Sequence, residues 1–460
     1  MARPSGKIDL TQGPIFRRAM MFALPLCIGG ILQQLYGIVD TMVVGNFCGP
    51  ASVAAVGTSS QPVELMLCIF MGLGTGVSIL TSQHTGSGDK VKQRAVVSNA
   101  NVFLYLCALP LSILGLFIGP VILRIMQVPE DAWAHAVSYI RILFLGTLGN
   151  LGYNVNAGIL RGVGDSRSTL YFLFLSCVMN IVLDLLFVAG FGMDVTGAAL
   201  ATAMAMYASW MTSALYIRRK YPELGYTILP RGADKQVLRE IVRVGLPLGL
   251  NNSIYSVGHF FLQVFINAQG SVFMAACSIG GKVNSLASIA VSALSSSATA
   301  FAGQNLGARR YDRLAKGGLR IPLFSGLIAL TVGLMVTAVS GPIVGLFGDD
   351  PAVLAQAQKY IRTVLPFYWT YAVFNGIIAF VNGMGVVRYP TVVNILMLWA
   401  VRIPVAWLIM TFWDGRMIMA AYPISFTFGM LSMLAFFLSR RWREIRCLAR
   451  EQTIIREVSA

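Results

Sequence analysis

Twelve apolar runs, each long enough to cross a lipid bilayer, limit the possible folds of this chain more than any other feature. They lie at roughly 17–44, 52–82, 95–119, 134–160, 168–190, 195–217, 241–266, 272–303, 318–342, 355–381, 389–412 and 416–439. A helix needs about 20 apolar residues to span a hydrocarbon core of ~30 Å, and inside that core only helices or closed barrels satisfy their own backbone. The sequence therefore predicts an all-α polytopic membrane protein of twelve spans. Only 12% of its residues are charged, against about 25% in a soluble domain.

Charge placement orients these spans. With the N-terminus in the cytoplasm, 28 of the 35 Lys and Arg residues fall in cytoplasmic segments and five outside. That positive-inside bias predicts that both termini are cytoplasmic. It also accounts for the net charge of +16 without a nucleic-acid partner. The polar first residues followed by a long apolar run predict an uncleaved first span. The seven cysteines are scattered without CxxC spacing and read as small hydrophobes, with neither a disulfide framework nor a metal site.

The chain repeats itself at an offset of about 221 residues. Gly162-Val163-Gly164 with Arg167 matches Gly383-Met384-Gly385 with Arg388, Tyr139-Ile140-Arg141 matches Tyr360-Ile361-Arg362, and Leu24-Pro25-Leu26 matches Leu246-Pro247-Leu248. Six spans per half give both halves one orientation, so two pseudo-symmetric six-helix bundles are expected: an N-lobe over 1–220, a cytoplasmic linker over 221–239 and a C-lobe over 240–460. Two like bundles around a shared cleft suit alternating access better than a channel.

Charges inside spans are expensive, and each is a functional candidate. Three are acidic, Asp40, Glu64 and Asp184, and two are basic, Lys282 and Arg402. Asp40 near the outer end of span 1, Asn180 and Asp184 on one face of span 5, and Thr202 on span 6 lie at similar heights, about 8–15 Å below the outer surface at ~1.5 Å per residue. Two carboxylates, an amide and a hydroxyl at one depth suit Na⁺, and they suit a shared proton equally. Helix-to-helix hydrogen bonding is the plainer role. Glu64 follows Pro62 near mid-span as a secondary candidate for proton sensing or substrate contact. Lys282 and Arg402 are candidates for an anionic group or a counter-charge, and His259 is a candidate titrating group, with helix packing as its alternative. Tyr36, Met66 and Tyr255 belong to a scatter of aromatic and Met residues suited to flat apolar cations.

In order along the chain, Leu24-Pro25 opening span 1, Leu35-Tyr36-Gly37-Ile38-Val39-Asp40 closing it, Arg161-Gly162-Val163-Gly164-Asp165 after span 4 and Gly303-Gln304-Asn305-Leu306-Gly307-Ala308 after span 8 resemble the multidrug and toxic compound extrusion (MATE) family. The resemblance covers essentially the whole chain. It implies a non-enzymatic antiporter in a bacterial plasma membrane, exporting amphipathic and often cationic compounds in exchange for Na⁺ or H⁺, with no other cofactor. It implies a coupling set in the N-lobe at Asp40, Asn180, Asp184 and Thr202, which would also hold Na⁺, and a bend of span 1 at Pro25. A second family branch carries acidic residues on spans 7 and 10; here those spans have His259 and Asn375 instead. The expected partners are drug-like small molecules and membrane lipids, for a monomeric protein. A lipid-linked saccharide flippase of the same superfamily is the alternative.

Overall fold

Each of the twelve apolar runs forms a helix in the computed structural model, which describes residues 7–229, 232–348 and 350–458, apart from some side chains that include Glu64 and Met66. The first six helices are α1 (Ile15–Phe47), α2 (Pro50–Ser87), α3 (Lys90–Ile125), α4 (Glu130–Val163), α5 (Ser166–Gly190) and α6 (Asp194–Lys220). The next six are α7 (Lys235–Asn267), α8 (Ser271–Gly307), α9 (Tyr311–Ala338), α10 (Pro351–Gly383), α11 (Arg388–Phe412) and α12 (Gly415–Leu438). A basic helix, α13 (Arg440–Val458), follows. Among the described residues, eight helices are long and apolar enough to cross a membrane: α1, α3, α5, and α8 through α12. Leu106, Ile113, Phe117 and Val121 of α3 are exposed, an apolar face of the kind lipid covers.

The chain divides into two compact units, one built on Ile28–Ser253 and the other on Asp9–Cys27 with the residues from Ile254 onward. The division falls inside α1 and inside α7.

Within the first unit α4 packs against α2, α3 and α6, burying Leu80, Val97, Ile140, Phe144, Ile159 and Trp210 in one cluster. Glycine lets the backbones meet. A Cβ on Gly158 would lie 2.4 Å from the carbonyl oxygen of Gly74, and one on Gly162 would lie 2.5 Å from Thr81 Cβ and 3.1 Å from the Ser78 carbonyl oxygen. Gly158→Ala is therefore expected to destabilise, because overpacking costs about 1–3 kcal/mol against a helix-propensity gain of about 1 kcal/mol. An unchanged thermal midpoint of the purified variant would contradict this.

The repeat seen in sequence is also a repeat of contacts. On α10, a Cβ on Gly383 would meet the Thr299 carbonyl oxygen of α8 at 2.4 Å, the same pair of positions as Gly162 and Ser78. Gly164 (φ 93°) and Gly385 (φ 79°) both take left-handed backbone at equivalent turns, a conformation glycine adopts without penalty.

Two details go beyond the sequence reading. The linker is ordered at its start, where Tyr221, Leu224 and Tyr226 are buried, and Tyr226 Oη donates to Asn156 Oδ1 at 2.8 Å. Three apolar side chains in a polar stretch are enough to fold it back on the unit. Moreover α7 begins at Lys235, inside the expected linker. In the second unit, the Gly303-Gln304-Asn305 signature holds the chain before α1: Leu10 N–H donates to Gln304 Oε1 and Asn305 Nδ2 donates to the Leu10 carbonyl, each at 3.1 Å.

Candidate functional site

Three helices of the first unit bring one polar cluster together. Tyr36 and Asp40 come from α1, one turn apart and so on one face. Asn180 and Asp184 come from α5 with the same spacing, and Thr202 from α6. Tyr36 Oη lies 3.3 Å from Thr202 Oγ1. Asn180 satisfies both neighbours with its amide nitrogen donating to Asp184 Oδ2 at 2.8 Å and its oxygen accepting from Thr202 Oγ1 and N, each at 3.2 Å. Asp184 (0% exposed), Asn180 (1%) and Thr202 (6%) are buried, whereas Asp40 is half-buried.

The Asp40 and Asp184 carboxyl groups are within hydrogen-bonding reach of each other. Carboxylates only accept hydrogen bonds, so such a contact needs a proton or a cation between them. Oδ1 of each is buried without a hydrogen-bond partner. Two such oxygens beside an amide oxygen and two hydroxyls form an all-oxygen donor set, the type that hard cations take. Directly after Asp184, α5 widens into a π-helical turn, Leu185–Gly190, a feature common at functional sites.

The other sequence candidates lie elsewhere. The Glu64 side chain lies outside the described residues. Lys282 is exposed, its ammonium 5.9 Å from the centre of the Phe347 ring. Pro25 lies within α1, which continues through it as helix although the ring deprives the carbonyl four residues earlier of its partner.

Arg402 and His259 meet in the second unit, in a setting that sequence reasoning missed. Arg402 ends a second π-helical turn, Met397–Arg402 on α11, and is fully buried. Its Nε donates to Ser425 Oγ at 2.8 Å and its Nη1 to Tyr255 Oη at 3.3 Å. The guanidinium carbon stands 4.7 Å from the centre of the Tyr422 ring, 4.9 Å from Phe426 and 5.9 Å from Tyr255, and the His259 ring meets the Tyr255 ring at 4.7 Å, tilted by 60°. Among the described residues no carboxylate pairs with it. Desolvated cation–π contacts, about 2 kcal/mol each, take the place of a counter-ion. These partners lie on α7, α11 and α12, the repeat counterparts of α1, α5 and α6.

A smaller polar knot closes one end of the first unit. Asp194, the first residue of α6, accepts from Ser52 Oγ at 3.1 Å and lies 3.2 Å from His135 Nδ1. Burial works to raise its pKa, but hydrogen bonds from Cys48, Ser52 and the Val195 amide, with the His135 ring, hold it below the usual carboxylate range. A depressed folded value gives stability that is complete above the unfolded pKa of about 3.9 and is lost as pH falls through the folded value. The thermal midpoint should therefore drop below about pH 4, and Asp194→Asn should flatten that limb. An acid limb unchanged in the variant would rule this out.

The MatE family model matches the chain twice, over residues 25–186 and 247–408, once in each half of the repeat. The chain belongs to the MATE family of multidrug efflux transporters. Both matches begin at the repeated prolines, Pro25 and Pro247. This MATE protein is 29% identical to the probable multidrug resistance protein YoeA of Bacillus subtilis (strain 168), over 84% of its own chain and 85% of the relative. It is 24% identical to the multidrug export protein MepA of Staphylococcus haemolyticus, over 81% of each. The fold matches an outward-facing multidrug resistance MATE transporter of the MOP superfamily with a TM-score of 0.86 at 24% identity, covering 98% of this chain and 100% of that one. A MATE transporter in the bent conformation matches with a TM-score of 0.87 at 24% identity, covering 98% and 100%. The family and the run of apolar helices place the protein in a bacterial plasma membrane as a multi-pass protein.

Proposed function

We propose that the protein is a secondary-active antiporter that exports amphipathic, often cationic, organic compounds in exchange for Na⁺ or H⁺, with the exchange centred on Asp40, Asn180, Asp184 and Thr202. The observation that carries this reading is the approach of the Asp40 and Asp184 carboxyl groups, each with a buried Oδ1 that has no hydrogen-bond partner. A cation or proton entering there replaces one helix-to-helix arrangement of α1, α5 and α6 by another. Coupling follows if ion and cargo prefer different states. Tyr36, hydrogen-bonded to Thr202, belongs to this set as a positioning residue. In this reading the α1 bend is at Pro25, all twelve helices cross the membrane with both termini cytoplasmic, and a monomer suffices. The names of the relatives favour drug export over the lipid-linked saccharide flippase.

Proteoliposomes given a fluorescent organic cation test the proposal. Uptake is expected under an imposed sodium gradient or an imposed proton gradient, and the responsive gradient names the coupling ion. Absence of flux under both would reject antiport.

A further inference from the structure

Between α5 and α6, at the end nearest the Tyr221–Tyr226 turn, the first unit has an open recess of 440 Å³ lined by Phe172, Thr212, Leu215, Tyr216, Arg219 and Lys220. Its rim is basic and its walls are apolar. α6 changes there from a membrane-type sequence to Arg218-Arg219-Lys220. Lys220 is already engaged: its ammonium is 3.3 Å from Asp165 Oδ2 and 4.8 Å from the centre of the Tyr216 ring. The Lys220 charge is thus balanced by Asp165. Arg219 is exposed, and among the described residues no carboxylate pairs with it. The uncompensated charge at the rim is therefore the guanidinium of Arg219, a fork matched to two phosphate oxygens. Thr212 and Tyr216 also line the recess, their hydroxyls engaged with the Ala208 carbonyl and with Asp165 Oδ2. From it, exposed Met211 and Leu215 on α6 and Tyr171 and Leu175 on α5 continue the apolar surface along both helices.

We propose that this recess binds the headgroup of an anionic glycerophospholipid, its phosphate on Arg219 and its acyl chains along the exposed face of α5 and α6. A basic recess between membrane helices with apolar surface leading away from it has the shape and charge of such a ligand. A free phosphate ion would use the guanidinium but leave the apolar walls unused. The bound lipid ties α5, which carries Asn180 and Asp184, to α6, which carries Thr202. The assignment does not depend on the transport reading.

The test uses the purified full-length chain in nanodiscs of phosphatidylcholine, with phosphatidylglycerol added in steps, read by native mass spectrometry and by thermal midpoint. Phosphatidylglycerol is expected to bind and raise the midpoint, and Arg219→Glu to weaken it about tenfold. Leu215→Trp, which fills the recess, should do the same, while Arg218→Glu, outside the lining, should leave binding intact. Should Arg219→Glu not fold, Arg219→Gln at this exposed position gives the same readout. The proposal is overturned by undiminished phosphatidylglycerol binding in the Arg219 and Leu215 variants. It is equally overturned by equal loss in Arg218→Glu, by phosphatidylcholine binding as tightly, or by inorganic phosphate alone giving the same stabilisation.

Discussion

Asp40→Asn is expected to reduce coupled efflux to background while the protein still inserts and folds. The substitution keeps the shape of the side chain, so the α1–α5 packing survives. It removes a carboxylate from the pair, and the Asn amide donates permanently to Asp184, where a proton or cation otherwise comes and goes. Coupling free energies of about 1–3 kcal/mol correspond to roughly 5–150-fold, and loss of that size is expected in ion-driven flux. Asp184→Asn should match it, and the double variant should be no worse than either single one, since groups that act as a unit are not additive. The measurements are drug resistance in a host lacking its own pumps, membrane abundance by immunoblot, and vesicle flux. Wild-type efflux at equal abundance would remove Asp40 from the mechanism.

The second large effect is structural. Asp165 is fully buried, and its Oδ2 accepts from Ser168 Oγ at 2.8 Å, Tyr216 Oη at 3.0 Å, Tyr221 Oη at 2.7 Å and Lys220 Nζ at 3.3 Å. Its Oδ1 caps α5 through Ser168 N at 3.1 Å. The donors also contact one another, Ser168 and Lys220 both bonding to the Tyr216 hydroxyl. Asp165→Ala leaves several buried donors and a partly buried ammonium without an acceptor. Breaking such a pair from one side costs about 3–5 kcal/mol, so the unfolding midpoint of the purified protein should fall steeply. Adding Lys220→Met to Asp165→Asn should recover part of the loss, because a neutral pair carries no stranded charge. A change under about 1 kcal/mol in Asp165→Ala would show that water replaces the carboxylate without difficulty.

These two sites were not equally legible in the sequence. Asp40 and Asp184 each interrupt an apolar run, and counting residues from the run ends places them at one height, which anticipates their meeting. Tyr36 sits one turn from Asp40, yet a lone aromatic in a membrane helix resembles many others, and its tie to Thr202 exists only in three dimensions. Arg402 stands out in sequence as a costly charge, but its answer is not an acid. The rings at positions 255, 422 and 426 come from separate helices, and nothing local marks them as a set. Asp165 reads in sequence as part of a turn motif, while three of its donors arrive from the far end of α6 and the start of the linker. Helix positions and the two-fold repeat were legible because hydrophobic length and duplicated turns are local signals. Linker order was not, since burial of Tyr221, Leu224 and Tyr226 depends on the surface they meet.

The glycine seam between α2 and α4 bears on how such a pump can diversify. A Cβ on Gly158 would lie 2.4 Å from the Gly74 carbonyl oxygen, so even one methyl group there strains the seam. By contrast, a Cβ on Gly37 or Gly45 of α1 would meet nothing within 4 Å. Side chains can therefore be enlarged at these two α1 positions without a steric clash, a freedom that the α2–α4 seam does not have.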